Sequence, residues 1–223
     1  MAIDKQLIEI AENVPRVYNA GSEKGYSEGY DVGYSGGYDK GKTDGAQSEY
    51  DNFWDYYQDN GTRTDYQYAF AHKGWRNANF KPKYPLNNIT AATSMFSSNR
   101  MTRVAYPIDL SNCANCSYMF SQCASLTTIS ELTFSETITN ASNMFASCKS
   151  LTTITVKGTI ATAVVMGSCP LNRDSILSVV NALSNDVTGK TLSLNKAAVN
   201  AAFTTEEWDA VAATKSNWTI TLA

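Results

Sequence analysis

The segments CSYMFSQCASLTTI (residues 116–129) and ASNMFASCKSLTTI (residues 141–154) decide the fold of this 223-residue chain. A weaker copy of the same pattern reads TSMFSSNRMTRV over residues 93–104. The Met-Phe pairs of the three copies are separated by 24 and 25 residues, a period that is typical of leucine-rich repeats. Each copy ends in a short run of Thr and apolar residues, which favours a strand. The pattern predicts stacked copies that each add one strand to a sheet.

Equivalent residues of the copies are predicted to form the buried interior, because no copy can bury its own apolar side chains without a neighbour. The repeat residues are Met95, Phe96, Met101, Val104, Met119, Phe120, Cys123, Leu126, Ile129, Met144, Phe145, Cys148, Leu151 and Ile154. Cys123 and Cys148 occupy one position, where the first copy has Asn99, so they are expected to be small buried groups. A degenerate fourth copy includes Met166 and Cys169.

The M-F-x-x-C-x-x-L-T-x-I copies, over about residues 89–160, resemble the BspA-like leucine-rich repeat family. This resemblance implies a right-handed solenoid that serves surface contact. The first copy departs from the pattern at Asn99 and Met101. The layout of the whole chain also resembles tail-associated structural proteins of bacteriophages that infect gut Firmicutes.

The first 48 residues combine a helical pattern with a strict repeat. Apolar residues between Ile3 and Val14 form one helical stripe that ends at Pro15, so residues 1–20 are predicted to contain an amphipathic helix. Over residues 21–48, glycine recurs at every fourth position. These glycines are Gly21, Gly25, Gly29, Gly33, Gly37, Gly41 and Gly45.

Two interpretations of the glycine repeat stay open. In a helix, the glycines would form an oligomerisation stripe, because close backbone approach could offset the cost of roughly 1 kcal/mol per glycine. This interpretation predicts a homo-oligomer. The alternative is a flexible linker in which the interspersed tyrosines make weak contacts.

Residues 49–88 are predicted to form an aromatic helical module. Phe53, Trp54 and Tyr57 follow helical spacing, and a second short helix is predicted from Arg63 to about Lys73. The aromatic side chains are interpreted as the core of this module. A carbohydrate or protein contact is the alternative, because aromatic faces also serve recognition.

The predicted fold class is α+β: a short leucine-rich-repeat solenoid over residues 89–170 with a C-terminal α/β cap over residues 171–223, preceded by the N-terminal segments. In the cap, the pattern predicts a helix from Arg173 to Leu183 and a strand in TGKTLSL. A further helix opens at a capping box formed by Thr204 and Glu207. The closing NWTITL is predicted to be a strand.

Composition argues against nucleic-acid binding and against catalysis. The net charge of −3 lacks the basic surface that phosphate binding needs, and His72 is the single histidine. We expect no catalytic residue, no metal and no cofactor. Cys113 and Cys116 form a C-x-x-C pair, for which metal binding with Cys123 or redox chemistry is the alternative to buried thiols.

The sequence predicts a non-enzymatic structural and adhesion protein of a phage virion, tail-associated and made in the host cytoplasm. Its N-terminal part would serve assembly with other virion proteins or with itself. The repeats would contact a host surface protein or glycan, at residues that the sequence does not identify. A bacterial cell-surface adhesin is the alternative. No window approaches the roughly 18 apolar residues of a membrane span, so no membrane insertion is expected.

Overall fold

The structure, a computed structural model, describes residues 62–71, 79–80, 82, 85–86 and 88–223. All of these residues belong to one compact unit, residues 54–223. The predicted helix of residues 1–20, the glycine repeat of residues 21–48 and His72 lie outside the described residues. The first part of the aromatic module, residues 49–61, lies outside them as well.

The first sheet contains five short parallel strands with β4 at its centre. The strands are β1 (Asn79–Phe80), β2 (Arg103–Val104), β3 (Ile108–Asp109), β4 (Thr128–Phe134) and β5 (Thr153–Gly158). Strands β2 and β3 pair with successive parts of β4, β1 pairs with β2, and β5 pairs with β4. Equivalent repeat residues face each other: Val104 pairs with Ile129, and Ile129 with Ile154. The copies therefore stack in register.

A second set of parallel contacts joins the turns that hold the Met-Phe pairs. Single bridges connect Asp65 to Ala91, Ala91 to Asn115 and Asn115 to Asn140. The amide nitrogen of Phe96 donates to the carbonyl oxygen of Met119 over 2.8 Å. The same bond recurs in the copies before and after. Successive copies are thus held together along their turns as well as along their strands.

The turn contacts identify a copy that the sequence pattern did not reveal. The amide nitrogen of Phe70 donates to the carbonyl oxygen of Met95 over 2.8 Å, so Phe70 is equivalent to Phe96. Residues 62–71 form turns and contain no α-helix. The prediction of a helix that begins at Arg63 is therefore wrong over these residues.

The phenylalanine rings of the four copies form one stacked column. Ring centroids are 5.3 Å apart between Phe70 and Phe96, 5.2 Å between Phe96 and Phe120, and 5.8 Å between Phe120 and Phe145. The interplanar angles of the last two pairs are 5° and 8°. In-register stacking of equivalent side chains fixes this parallel geometry, and the rings lie in the core.

The C-terminal part contains three helices and a second sheet. The helices are α1 (Arg173–Asn181), α2 (Lys196–Ala202) and α3 (Thr205–Ala213), and the strands are β6 (Val164–Met166), β7 (Lys190–Leu194) and β8 (Trp218–Leu222). Strand β7 pairs in parallel with both β6 and β8. Val164 faces Leu192, and Leu192 faces Ile220. These pairs are 28 residues apart along the chain (192 − 164 and 220 − 192).

The predicted local signals of this part are confirmed. The helix that begins at Arg173 is α1, and the strands in TGKTLSL and NWTITL are β7 and β8. Thr204 and Glu207 form the reciprocal capping box at the start of α3. The sequence pattern does not predict strand β6, although it includes Met166 in the degenerate fourth copy.

The predicted leucine-rich-repeat solenoid is wrong as a fold class, because the parallel strands are divided between two separate sheets. The first sheet stops at β5, where helix α1 lies against the strand. The amide nitrogen of Ile154 donates to Ser175 Oγ over 2.9 Å, and that of Val156 donates to Ser178 Oγ over 2.8 Å. The two serine hydroxyls satisfy groups that a further strand would otherwise bind. The arrangement is consistent with an α+β chain.

No helix in the described part of the chain has the length and the apolarity needed to cross a membrane.

Candidate contact surface

The repeat residues predicted from the sequence all lie in the core. Each of them is at most 2% exposed, from Met95 in the first predicted copy to Ile154 in the last. They hold the copies together and are not available to a ligand. A contact surface must therefore be built from the residues that alternate with them.

A column of buried hydrogen-bond donors explains why Asn99 can replace cysteine in its copy. Cys123 Sγ donates to the carbonyl oxygen of Phe96 over 3.0 Å, and Cys148 Sγ donates to that of Phe120 over 3.0 Å. Asn99 Nδ2 makes the same bond to Phe70 over 3.0 Å. Each donor binds a carbonyl of the preceding copy, and the carbonyls of Phe96 and Phe120 also accept a bond from the amide nitrogens of Asn99 and Cys123, both over 3.1 Å.

The thiols of Cys123 and Cys169 have raised pKa values. Burial raises the pKa of the Cys123 thiol well above its ordinary value of 9.0. A hydrogen bond with Cys148, together with burial, raises the pKa of Cys169. Thiol nucleophiles and metal ligands act as thiolates, so these groups are suited to packing and hydrogen bonding.

The C-x-x-C pair is also buried. Cys113 Sγ donates to the carbonyl oxygen of Asn115 over 3.3 Å, and Cys116 Sγ to that of Asn140 over 3.5 Å. Burial raises the pKa of both thiols. Among the described residues, no group of three or more His, Cys, Asp or Glu side chains is arranged to hold a metal ion.

The turns contain an unusual number of left-handed residues that are not glycine. They recur at two positions of the copies. Counted from Asp65, Ala91, Asn115 and Asn140 as the first residue of each turn, these are the fourth and the eighth residue. At the fourth position stand Tyr68, Ser94, Tyr118 and Asn143, with φ between 53° and 57°. At the eighth stand Ser98, Gln122 and Ser147, with φ between 57° and 62°. Asn tolerates this conformation, whereas a bulky side chain costs roughly 1–2 kcal/mol.

The four residues at the fourth position form a column across the copies, which we call the tyrosine column. The amide nitrogen of Tyr68 donates to the carbonyl of Thr93 and that of Ser94 to Ser117, both over 2.9 Å. The amide nitrogen of Tyr118 donates to Ser142 over 2.9 Å. Tyr68 therefore lies beside Ser94, and Ser94 beside Tyr118.

Tyr68 is 51% exposed and Tyr118 is 46% exposed. With Val165, they are the large apolar side chains most open to solvent in the described part of the chain. Ser94 between them is only 8% exposed. Two aromatic side chains thus stand on either side of a recessed serine.

The residue that precedes the column in each turn is polar and uncharged, and the carboxylate of Asp65 accepts hydrogen bonds from Gln67 beside Tyr68. The third position of each turn, next to the column, is Gln67, Thr93, Ser117 and Ser142. Within the described residues, no hydrogen bond involves the hydroxyl of Tyr68, Ser94 or Tyr118. The surface can therefore offer aromatic faces and free hydroxyl groups together, which is the usual chemistry of a recognition site.

On the threonine-rich face of the first sheet, by contrast, hydroxyl groups are hydrogen-bonded to the backbone. Thr127 Oγ1 donates to the carbonyl oxygen of Thr102 over 2.9 Å, and Thr152 Oγ1 donates to that of Thr127 over 3.3 Å. Lys157 and Glu131 form an ion pair over 2.8 Å on the same sheet. These groups already bind one another, so the tyrosine column is the better candidate for an external contact.

The sequence pattern does not mark Tyr68 or Tyr118 as exposed. The helical spacing of residues 63–73 includes Tyr68, and the repeat pattern is defined by residues other than Tyr118. Aligning DYQYAF (residues 65–70) with NCSYMF (residues 115–120) would have shown that both tyrosines occupy one position. No family model, curated protein or solved structure matches this chain.

Proposed function

We propose that this chain is a non-enzymatic structural and adhesion protein of a phage virion, associated with the tail. Its N-terminal part, residues 1–48, serves assembly with other virion proteins and with further copies of itself. Its repeat region contacts a protein or glycan of the host surface. The repeat region resembles the BspA-like family, and the layout of the chain resembles that of phage tail proteins; both resemblances support this role.

The observation that carries the proposal is the tyrosine column on the face of the stacked copies. Its backbone is fixed by hydrogen bonds between copies, and its rings are exposed without being part of the core. A rigid surface loses little conformational entropy on binding, and tyrosine is enriched among the residues that dominate binding energy. Such a surface is suited to recognition.

The buried cysteines support the non-enzymatic part of the proposal. A cysteine nucleophile needs a lowered pKa and access to substrate. In this chain, burial raises the pKa of Cys113, Cys116 and Cys123. The same three residues are buried in the core.

Immunogold labelling of virions and of host cells, with an antibody against the purified chain, tests the biological setting. We expect gold particles at the phage tail and none on the wall of uninfected cells. Label on uninfected cell walls and none on virions would favour the bacterial adhesin instead.

Binding of the fluorescent full chain to host cells tests the contact role. We expect saturable binding that unlabelled chain competes away. Binding that does not saturate, or that unlabelled chain does not reduce, would contradict the contact role.

A further inference from the structure

We propose that the tyrosine column binds a neutral glycan, with the rings of Tyr68 and Tyr118 each packing against a sugar ring and the hydroxyl of Ser94 lying between them. This inference rests on the proposed function, because it names the class of ligand through which the surface contact is made.

Stability does not account for the two tyrosines. Both are about half exposed, so their rings contribute little to the core. Both also adopt a left-handed backbone, with φ of 54° and 57°, which disfavours bulky side chains. Asn143 occupies the same position of the next copy with φ of 55°, so the backbone there accepts asparagine, a residue better suited to it. The left-handed backbone is common to all four turns, so it belongs to the turn itself. The feature specific to this surface is that two copies place a bulky tyrosine there.

The spacing of the two tyrosine rings favours an extended ligand. Tyr68 and Tyr118 are two copies apart, with Ser94 in the copy between them. Adjacent strands lie about 4.8 Å apart, so the two side chains start roughly 10 Å apart. A single small ligand would reach one ring, whereas an extended chain of sugar rings can reach both. The recessed Ser94 leaves room between the tyrosines for the connecting part of such a chain.

The charge of the column favours a neutral ligand. The third and fourth positions of the four turns hold tyrosine, serine, threonine, glutamine and asparagine, and no charged residue. The exposed carboxylate of Asp65 beside them already accepts hydrogen bonds from the amide nitrogen and the side chain of Gln67. A phosphorylated or acidic ligand would need a cationic partner, and a basic peptide would need a carboxylate. Sugars present apolar C–H faces for aromatic rings and hydroxyl groups for hydrogen bonds. The composition of the column therefore complements a neutral polyhydroxylated ligand.

The test is binding of the full chain to an array of neutral and sulfated oligosaccharides, including those of bacterial surfaces. The oligosaccharide that binds best is then titrated by calorimetry. We expect a neutral oligosaccharide to bind, and longer chains to bind more tightly than a disaccharide. Tyr118→Asn and Tyr68→Asn should each weaken binding at least tenfold. Neither substitution should lower the urea midpoint of unfolding, because asparagine suits the left-handed backbone.

Val165→Asn is the matched control, because Val165 is 53% exposed and lies outside the column. This variant should bind like the unmodified chain. Three results would each overturn the proposal: no neutral glycan on the array binds, only sulfated glycans bind, or both tyrosine variants bind normally. The proposal would also be overturned if Tyr118→Asn lowered the urea midpoint as much as a core substitution does, because the ring would then be structural.

Host-cell binding separates a failure of this inference from a failure of the proposed function. If the chain binds host cells, and protease treatment of the cells removes that binding while the glycan array stays negative, the ligand is a protein. The glycan inference then fails and the contact role stands. If the chain binds neither cells nor glycans, the proposed function fails as well.

Discussion

Asn99 Nδ2 donates a hydrogen bond to the carbonyl oxygen of Phe70, 29 residues earlier in the chain, over 3.0 Å. Asn99 Oδ1 accepts a second bond from the amide nitrogen of Met101 over 2.8 Å. The residue is 1% exposed, so both bonds are made in the absence of water. One side chain thus joins two copies and shapes the turn that leads into β2.

We expect Asn99→Leu to destabilise the chain by about 1–3 kcal/mol, because it leaves the buried amide of Met101 without its acceptor and removes the bond to the carbonyl of Phe70. Urea unfolding, followed by circular dichroism, measures the loss. Asn200→Leu, on the exposed face of α2, is the control and should change stability by less than about 0.5 kcal/mol. Equal losses from the two variants would contradict the role assigned to Asn99.

The serine hydroxyls of α1 explain where the first sheet ends. Ser175 Oγ accepts from the amide nitrogen of Ile154 over 2.9 Å, and Ser175 is 2% exposed. Ser175→Ala should destabilise the chain by about 1–3 kcal/mol, because the amide of Ile154 is left buried without an acceptor. It should also accelerate hydrogen exchange at Ile154, as measured by NMR.

Ser125→Ala is the control for this substitution, because Ser125 is exposed in the turn before β4. It should leave both stability and exchange at Ile154 unchanged. If Ser175→Ala leaves the exchange rate of Ile154 unchanged, the account of the sheet edge is wrong.

These contacts also show what the sequence could and could not predict. The repeat period and the burial of Phe96, Phe120 and Phe145 follow from the spacing of identical residue types. The termination of the sheet depends on Ser175 and Ser178, and a serine in an amphipathic helix gives no signal that it will bind a strand edge. The solenoid prediction therefore extended a local pattern beyond the point where it ends.

The earliest copy was missed for a different reason. In residues 65–70, Tyr66 stands where the later copies have Ala or Cys, and Ala69 stands where they have Met. The spacing of these residues also fits a helix. The shared position of Tyr68 and Tyr118 is not evident from the sequence pattern either, because it is visible only once the copies are aligned. Backbone conformation, which distinguishes them from ordinary surface tyrosines, is not readable from residue types.

All five cysteines are expected to resist modification in the folded chain. They are free and buried, and burial raises the pKa of Cys116 and Cys123. A disulfide exchange reagent at pH 8 should therefore react slowly with the folded chain. In guanidinium chloride, which unfolds the chain, the reagent should modify all five cysteines. Rapid reaction of one or more thiols under native conditions would show that a cysteine is accessible and reactive.

The raised thiol pKa values also predict an alkaline loss of stability. Below pH 9 the thiols are protonated in both states, so their contribution is fully present. Above pH 9 the unfolded chain releases thiol protons that the folded chain retains, so the free energy of unfolding falls as pH rises. Urea unfolding between pH 8 and pH 10.5 measures this slope. Cys123→Ser should make the slope shallower, and an unchanged slope would contradict the assignment.

In the proposed function, the stacked copies present Tyr68 and Tyr118 for contact with the host surface. The affinity of the full chain for host cells, compared with that of the Tyr68→Asn, Tyr118→Asn double variant, tests this contact most directly. We predict that the double variant loses at least nine-tenths of cell binding while its urea midpoint stays at or above that of the unmodified chain. Equal cell binding by the two proteins, at equal stability, would contradict the claim.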